Sequence, residues 1–105
     1  MLTTKDRAFL KGLAMNENPI LSLGKSSLTP EFTEAVREAL KARELIKINV
    51  LKNCLDDPHS VAITMAERTR SELVQVIGRK IVLFKRNTEE PGIIFPGEKI
   101  KKAAK

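Results

Sequence analysis

Two stretches of this 105-residue chain gather residue types able to do chemistry. The first is Gly24-Lys25-Ser26-Ser27, a small polar loop between the apolar run Ile20 to Leu23 and the pair Thr29-Pro30. Small side chains let a backbone come close to a ligand, and a loop that ends where a helix begins brings free N–H groups to the positive end of the helix dipole. With Lys25 inside it, such a loop suits an anion. The second stretch is Cys54, Asp56, Asp57 and His59, all residue types that bind metals.

Narrower readings of both stretches fail on spacing. Gly24-Lys25-Ser26 matches the end of a nucleotide phosphate loop, but the first glycine of that motif would fall at position 19, which is Pro19. No strand ends in an aspartate placed for magnesium, so ATP or GTP hydrolysis is not expected. His59 and Cys54 are each the only residue of their kind, short of the four Cys or His ligands of a closed zinc site. Asp57 before Pro58 reads better as a helix cap, and Cys54 as a small apolar filler. Ser60 beside His59 lacks the context of a nucleophile. The sequence therefore predicts no catalytic residues, no metal, no cofactor and no small-molecule substrate.

The totals favour one globular domain with its own core, since 42% of residues are hydrophobic and 30% charged. With four Phe and no Trp or Tyr, the core must be aliphatic and a row of base-stacking aromatics is disfavoured. A net charge of +6 favours a polyanionic partner. A lone cysteine excludes an intrachain disulfide, and neither a membrane-length apolar run nor a signal-peptide core is present, so a cytoplasmic location is expected.

The elements that must position the loop follow in order. Thr3 or Thr4 caps a first helix to about Met15, with Leu2, Phe9, Leu10, Leu13 and Ala14 on its inner side. Arg7 and Lys11 lie four apart on an adjoining face, where a phosphate would relieve their repulsion. Ile20 to Leu23 is a short strand. Thr29 and Pro30 start a second helix, ending near Arg43, with Phe32, Ala35, Val36, Ala39 and Leu40 buried. Leu45 to Leu51 alternates as a strand with one side partly wet. Asp57 and Pro58 start a third helix carrying Val61, Ala62, Met65, Ala66 and Thr69 inward. Leu73 to Ile77 and Ile81 to Phe84 are strands joined through a type II′ turn at Gly78-Arg79, with Arg79 at its tip.

The order α-β-α-β-α-β-β predicts an α/β domain over residues 1–86, with a four-stranded mixed sheet and three helices. Residues 87–105 read as a basic, loosely held tail ending in Lys99, Lys101, Lys102 and Lys105. Within it, Ile93, Ile94 and Phe95 are apolar enough to dock on the domain.

Several stretches together resemble the CRM domain (chloroplast RNA splicing and ribosome maturation) in its stand-alone, bacterial YhbY-like form. They are Leu2-Thr3 with Lys5, Arg7, Leu10, Lys11 and Ala14; Ile20 to Thr29; Glu44-Leu45-Ile46-Lys47; and Glu72-Leu73-Val74-Gln75-Val76-Ile77-Gly78 followed by Ile81-Val82-Leu83. The resemblance implies a compact RNA-binding fold similar to the C-terminal domain of translation initiation factor three, no enzyme activity, and association with ribosomal RNA in precursors of the large subunit. It also implies RNA contact through a Gly-x-x-Gly loop, as in KH domains, which maps onto Gly24, Lys25, Ser26 and Ser27, and through Lys5, Arg7 and Lys11. Ser27 departs from the closing glycine of that loop and reaches positive φ less readily. Arg79 is a further candidate contact. A reading of another class is a ribosome-associated protein adaptor whose basic charge serves solubility.

Overall fold

The computed structural model of the protein describes residues 2–26, 28–89, 91–93 and 95. Its elements are α1 (Thr4–Ala14), β1 (Leu21–Leu23), α2 (Pro30–Arg43), β2 (Leu45–Val50), α3 (Pro58–Thr69), β3 (Glu72–Ile77) and β4 (Lys80–Phe84). This is the order that the sequence predicts, with β1 starting one residue late, β2 stopping one residue early, and β3 and β4 each starting one residue early. Each helix begins at a side-chain cap. Thr3 Oγ1 accepts the Asp6 N–H at 3.0 Å, Thr29 Oγ1 that of Phe32 at 3.0 Å, and Asp57 Oδ2 that of Ser60 at 3.1 Å. Pro30 and Pro58 follow two of these caps, where a missing N–H would have had no helical partner anyway.

The four strands form one mixed sheet in the order β1-β2-β4-β3. β1 runs parallel to β2, with Leu21 opposite Ile48 and Leu23 opposite Val50, while β4 is antiparallel to both β2 and β3. Gly78 has φ +59° and Arg79 does not join the positive-φ residues, the pattern that a type II′ turn requires.

Strand alternation sends the two sets of side chains to opposite faces. Ile46, Ile48, Val50, Ile81 and Leu83 pack against Val36, Leu40, Val61 and Met65 of α2 and α3. Leu45, Val74, Val82 and Phe84 face the other way, onto Leu10 and Ala14 of α1. Lys47 and Asn49, predicted on the partly wet side, are half-buried because α1 covers part of that face.

The packing continues beyond β4. Ile93 and Phe95 join the α1 cluster, and the Phe95 ring meets Phe9 and Phe84 edge-on at centroid distances of 5.7 and 5.6 Å. Docking of the apolar segment is thus observed for Ile93 and Phe95; Ile94 and residues 96–105 lie outside the described residues. Glu44 supplies the clip. It is 5% exposed and sits at the end of α2 with φ +66°, a region costly for a side-chain-bearing residue. Its carboxylate accepts the N–H of Asn87 at 2.7 Å on one oxygen and those of Gly92 and Ile93, both at 2.9 Å, on the other. A Cβ at residue 92 would lie 3.2 Å from Glu44 Oε1, so this close approach favours Gly92. Among the described residues, no helix is long and apolar enough to cross a membrane.

Glu44→Gln should destabilise the protein by about 1–3 kcal/mol, because an amide NH₂ would face a backbone donor where a carboxylate oxygen now accepts. Urea denaturation followed by circular dichroism checks this; an unchanged midpoint would mean that the clip contributes nothing.

Candidate nucleic-acid interface

Parallel pairing puts the carboxyl ends of β1 and β2 at the same end of the sheet. The loop after β1 holds Gly24, Lys25 and Ser26, and the loop after β2 runs from Leu51 to Asp57. The two touch: a Cβ on Gly24 would lie 3.4 Å from Asn53 Oδ1 and 3.6 Å from the Leu51 side chain. Because β4 is antiparallel to β2, the Gly78-Arg79 hairpin turn arrives at this end too.

Lys25 and Ser26 are exposed and Gly24 is half-buried. No hydrogen bond among the described residues takes up the backbone N–H of Lys25 or Ser26. Those two donors and the Lys25 ammonium form the anion-binding potential of the loop. The start of α2 adds less than its sequence suggests. Pro30 has no N–H, the Phe32 N–H is held by Thr29 Oγ1, and the Thr33 N–H bonds the Thr29 carbonyl at 3.0 Å. Glu31 already offsets the helix dipole in the first turn. Ser27, named with this loop from the sequence, lies outside the described residues.

Arg79 also stands at this end, but its guanidinium is turned inward. Nε donates to the Val50 carbonyl at 2.9 Å, and Nη2 to those of Leu51 at 2.8 Å and Cys54 at 3.4 Å. The planar fork of arginine matches several acceptors at once, and here it fastens the loop after β2. That loop is further closed by the Cys54 N–H on the Leu51 carbonyl at 3.0 Å, and the Cys54 side chain is buried in the α2/α3 core. Cys54 and Asp57 thus serve as core filler and helix cap.

The basic residues of α1 lie elsewhere. Arg7 Nη1 donates to the carbonyls of Leu73 and Val74 on the edge strand β3, the latter at 3.1 Å. β3 carries a register shift between Leu73 and Gln75, and such a bulge turns successive carbonyls to the same side. Arg7 thereby ties α1 to the sheet and covers an exposed edge. β1 and β3 are the two opposite edges of the sheet, and Leu73 is level with Ile46, four residues below Val50. Three strand spacings across and four residues along separate Arg7 from the Gly24 loop by about 20 Å. Lys5 and Lys11 are exposed on α1. The structure thus brings Lys25, Arg79 and the loop amides to one end and leaves the Arg7 region at the diagonal corner.

Two basic residues at the loop end escape a sequence reading: Lys52, exposed beside Asn53, and Lys80, exposed at the start of β4. The apolar Leu51 and Leu55 interrupting a polar loop were the available signal. At the opposite end of the sheet, a groove of about 430 Å³ is lined by Glu34, Arg37, Glu38, Lys41, Arg86 and Glu89 among others. Its mixed charge gives it no preference for an anion.

A sequence model described as the CRS1 / YhbY (CRM) domain matches residues 2–85. A Bacillus subtilis protein, named probable RNA-binding protein YqeI, is 43% identical over 96 residues, covering 91% of this chain and 100% of that protein. A Haemophilus influenzae protein named RNA-binding protein is 36% identical over 95 residues, 90% of this chain and 95% of its own length. The solution structure of SAV1595 from Staphylococcus aureus superposes with a TM-score of 0.77 at 43% identity, over 91% of this chain and 100% of that one.

Arg79→Ala should loosen the loop after β2. Amide hydrogen exchange at Cys54 should quicken, and stability should fall by about 1–3 kcal/mol for the carbonyls left without their donor. Arg79→Lys should recover little, since the single nitrogen of lysine cannot occupy the Nε and Nη2 positions from which the fork reaches its separate carbonyls.

Proposed function

Since the chain belongs to the CRS1 / YhbY (CRM) domain family, we propose that it is a non-enzymatic RNA-binding protein of the cytoplasm. Its partner is structured RNA, specifically ribosomal RNA in precursors of the large subunit, and its task is assembly. The observation that carries this reading is the Gly24-Lys25-Ser26 loop, with an exposed ammonium and two backbone donors that no other described group takes up. The net charge of +6 supports it, as do the names of the relatives.

Roles divide by what each side chain already does. Lys25, the amides of Lys25 and Ser26, and Ser27, the next residue in the sequence, bind phosphate at one corner. Lys5 and Lys11 bind phosphate along α1. Arg7 and Arg79 add positive potential while holding α1 and the loop after β2. A gap of about 20 Å between the corners exceeds the length of a single nucleotide step, so a mononucleotide cannot bridge them, whereas a folded RNA can.

The test uses Lys5→Ala, Lys11→Ala and Lys25→Ala combined, leaving Arg7 in place because it holds the fold. Binding to ribosomal RNA fragments across a salt series should weaken, and the salt slope should flatten by about two to three, one phosphate contact for each lysine. Wild type and variant binding alike would remove these lysines from the interface. A wild type whose binding ignores salt would favour the adaptor reading.

A further inference from the structure

We propose that the loop joining β2 to α3 is a second RNA contact that receives an unpaired nucleobase on Leu55, with Lys52 and Lys25 holding the flanking phosphates. This inference rests on the RNA-binding reading above and names a feature of the RNA that the phosphate loop alone would not select.

Rigidity is the first support. The Arg79 fork holds the carbonyls of Val50, Leu51 and Cys54, the Cys54 N–H closes back on Leu51, and Cys54 anchors the loop in the core. A loop fixed at so many points cannot fold its own side chains away. Yet the residue following this anchor, Leu55, is 92% exposed, and Leu51 is 38% exposed. A large apolar side chain held in water by a rigid support gains free energy from any flat apolar surface that covers it.

Position and charge identify the cover. Asn53 and Leu51 lie against Gly24, so this loop and the phosphate-binding loop form one continuous surface. Lys25, Lys52 and Lys80 are exposed at this end of the sheet. The acidic residues of this loop follow Leu55 in the chain, on the α3 side: Asp57 caps α3 and Asp56 precedes it. An RNA backbone is therefore drawn to the Lys25–Lys52 side, and a neutral base, not a phosphate, falls toward Leu55. The exposed Asn53 amide offers both a donor and an acceptor to a base edge. No aromatic side chain competes for the role: Phe9, Phe84 and Phe95 lie in the α1 cluster, and Phe32 packs on the α2/α3 core. A paired base, stacked inside a duplex, cannot reach such a surface; a bulged or loop base can.

The test titrates the full chain with two RNA hairpins, one fully paired and one carrying a single bulged 2-aminopurine. Wild type should prefer the bulged hairpin by about tenfold, the scale expected when a leucine side chain is covered, with a change in 2-aminopurine fluorescence on binding. Leu55→Ser, at an exposed site that leaves the fold alone, should abolish that preference and keep the affinity for the paired hairpin. Lys52→Ala should weaken both and lower the salt slope by about one. Equal affinity of wild type for the two hairpins, or a preference that survives Leu55→Ser, would overturn the base site while leaving phosphate binding intact. Failure of wild type to bind either hairpin at low salt would overturn the RNA-binding reading itself, and this inference with it.

Discussion

The parallel pairing of β1 with β2 is the constraint on which the rest depends. Two parallel neighbours joined through α2 must finish at the same end of the sheet, so the loops that follow them are brought together regardless of their sequences. Open α/β sheets bind ligands outside the carboxyl ends of their strands for this reason. The antiparallel β4 then delivers the Gly78-Arg79 turn to the same end, where Arg79 finds the carbonyls of the second loop. Covering the sheet with α2 and α3 on one face and α1 on the other leaves this end as the place where backbone donors and exposed lysines coincide.

Charge in this protein has two uses that composition alone does not separate. Arg7, Arg79 and Arg37 all donate to backbone carbonyls, Arg37 reaching Arg68 of α3 at 3.0 Å while also pairing with Glu34. Hydrogen bonds from charged donors are stronger than neutral ones, and these fasten helices and loops together. Most lysines, as compact and strongly hydrated point charges, remain on the surface; Lys47 is half-buried, and the ammonium of Lys85 donates to the Thr69 carbonyl at 3.1 Å. The guanidiniums hold the scaffold, and Lys5, Lys11, Lys25, Lys52 and Lys80 make up much of the field that a polyanion would meet.

Local signals made most of the elements legible. Thr3, Thr29-Pro30 and Asp57-Pro58 start helices because side-chain oxygens satisfy amides that the helix itself cannot, and Gly78 marks the hairpin because only its φ is free to be positive. What stayed hidden depends on residues distant in sequence. Glu44 looks like an ordinary polar residue at a helix end, and its role emerges only when Asn87, Gly92 and Ile93 come to its carboxylate. The register shift in β3 has no local signature in Glu72 to Ile77, and without it Arg7 reads as a free surface charge. The gap between Arg7 and the Gly24 loop follows from strand order, which the alternation of single strands does not encode. Lys52 and Asn53 carry no signal of their own, because a polar loop has no periodicity to read.

The most direct measurement is backbone amide chemical-shift mapping of the isotope-labelled protein as a structured ribosomal RNA fragment is added at physiological salt. The account predicts that the largest perturbations fall on residues 24–26 and 52–55, at the shared end of β1 and β2, while the mixed-charge groove between Glu34 and Glu89 stays silent. Perturbations confined to that groove, or to the outer face of α2, would contradict it.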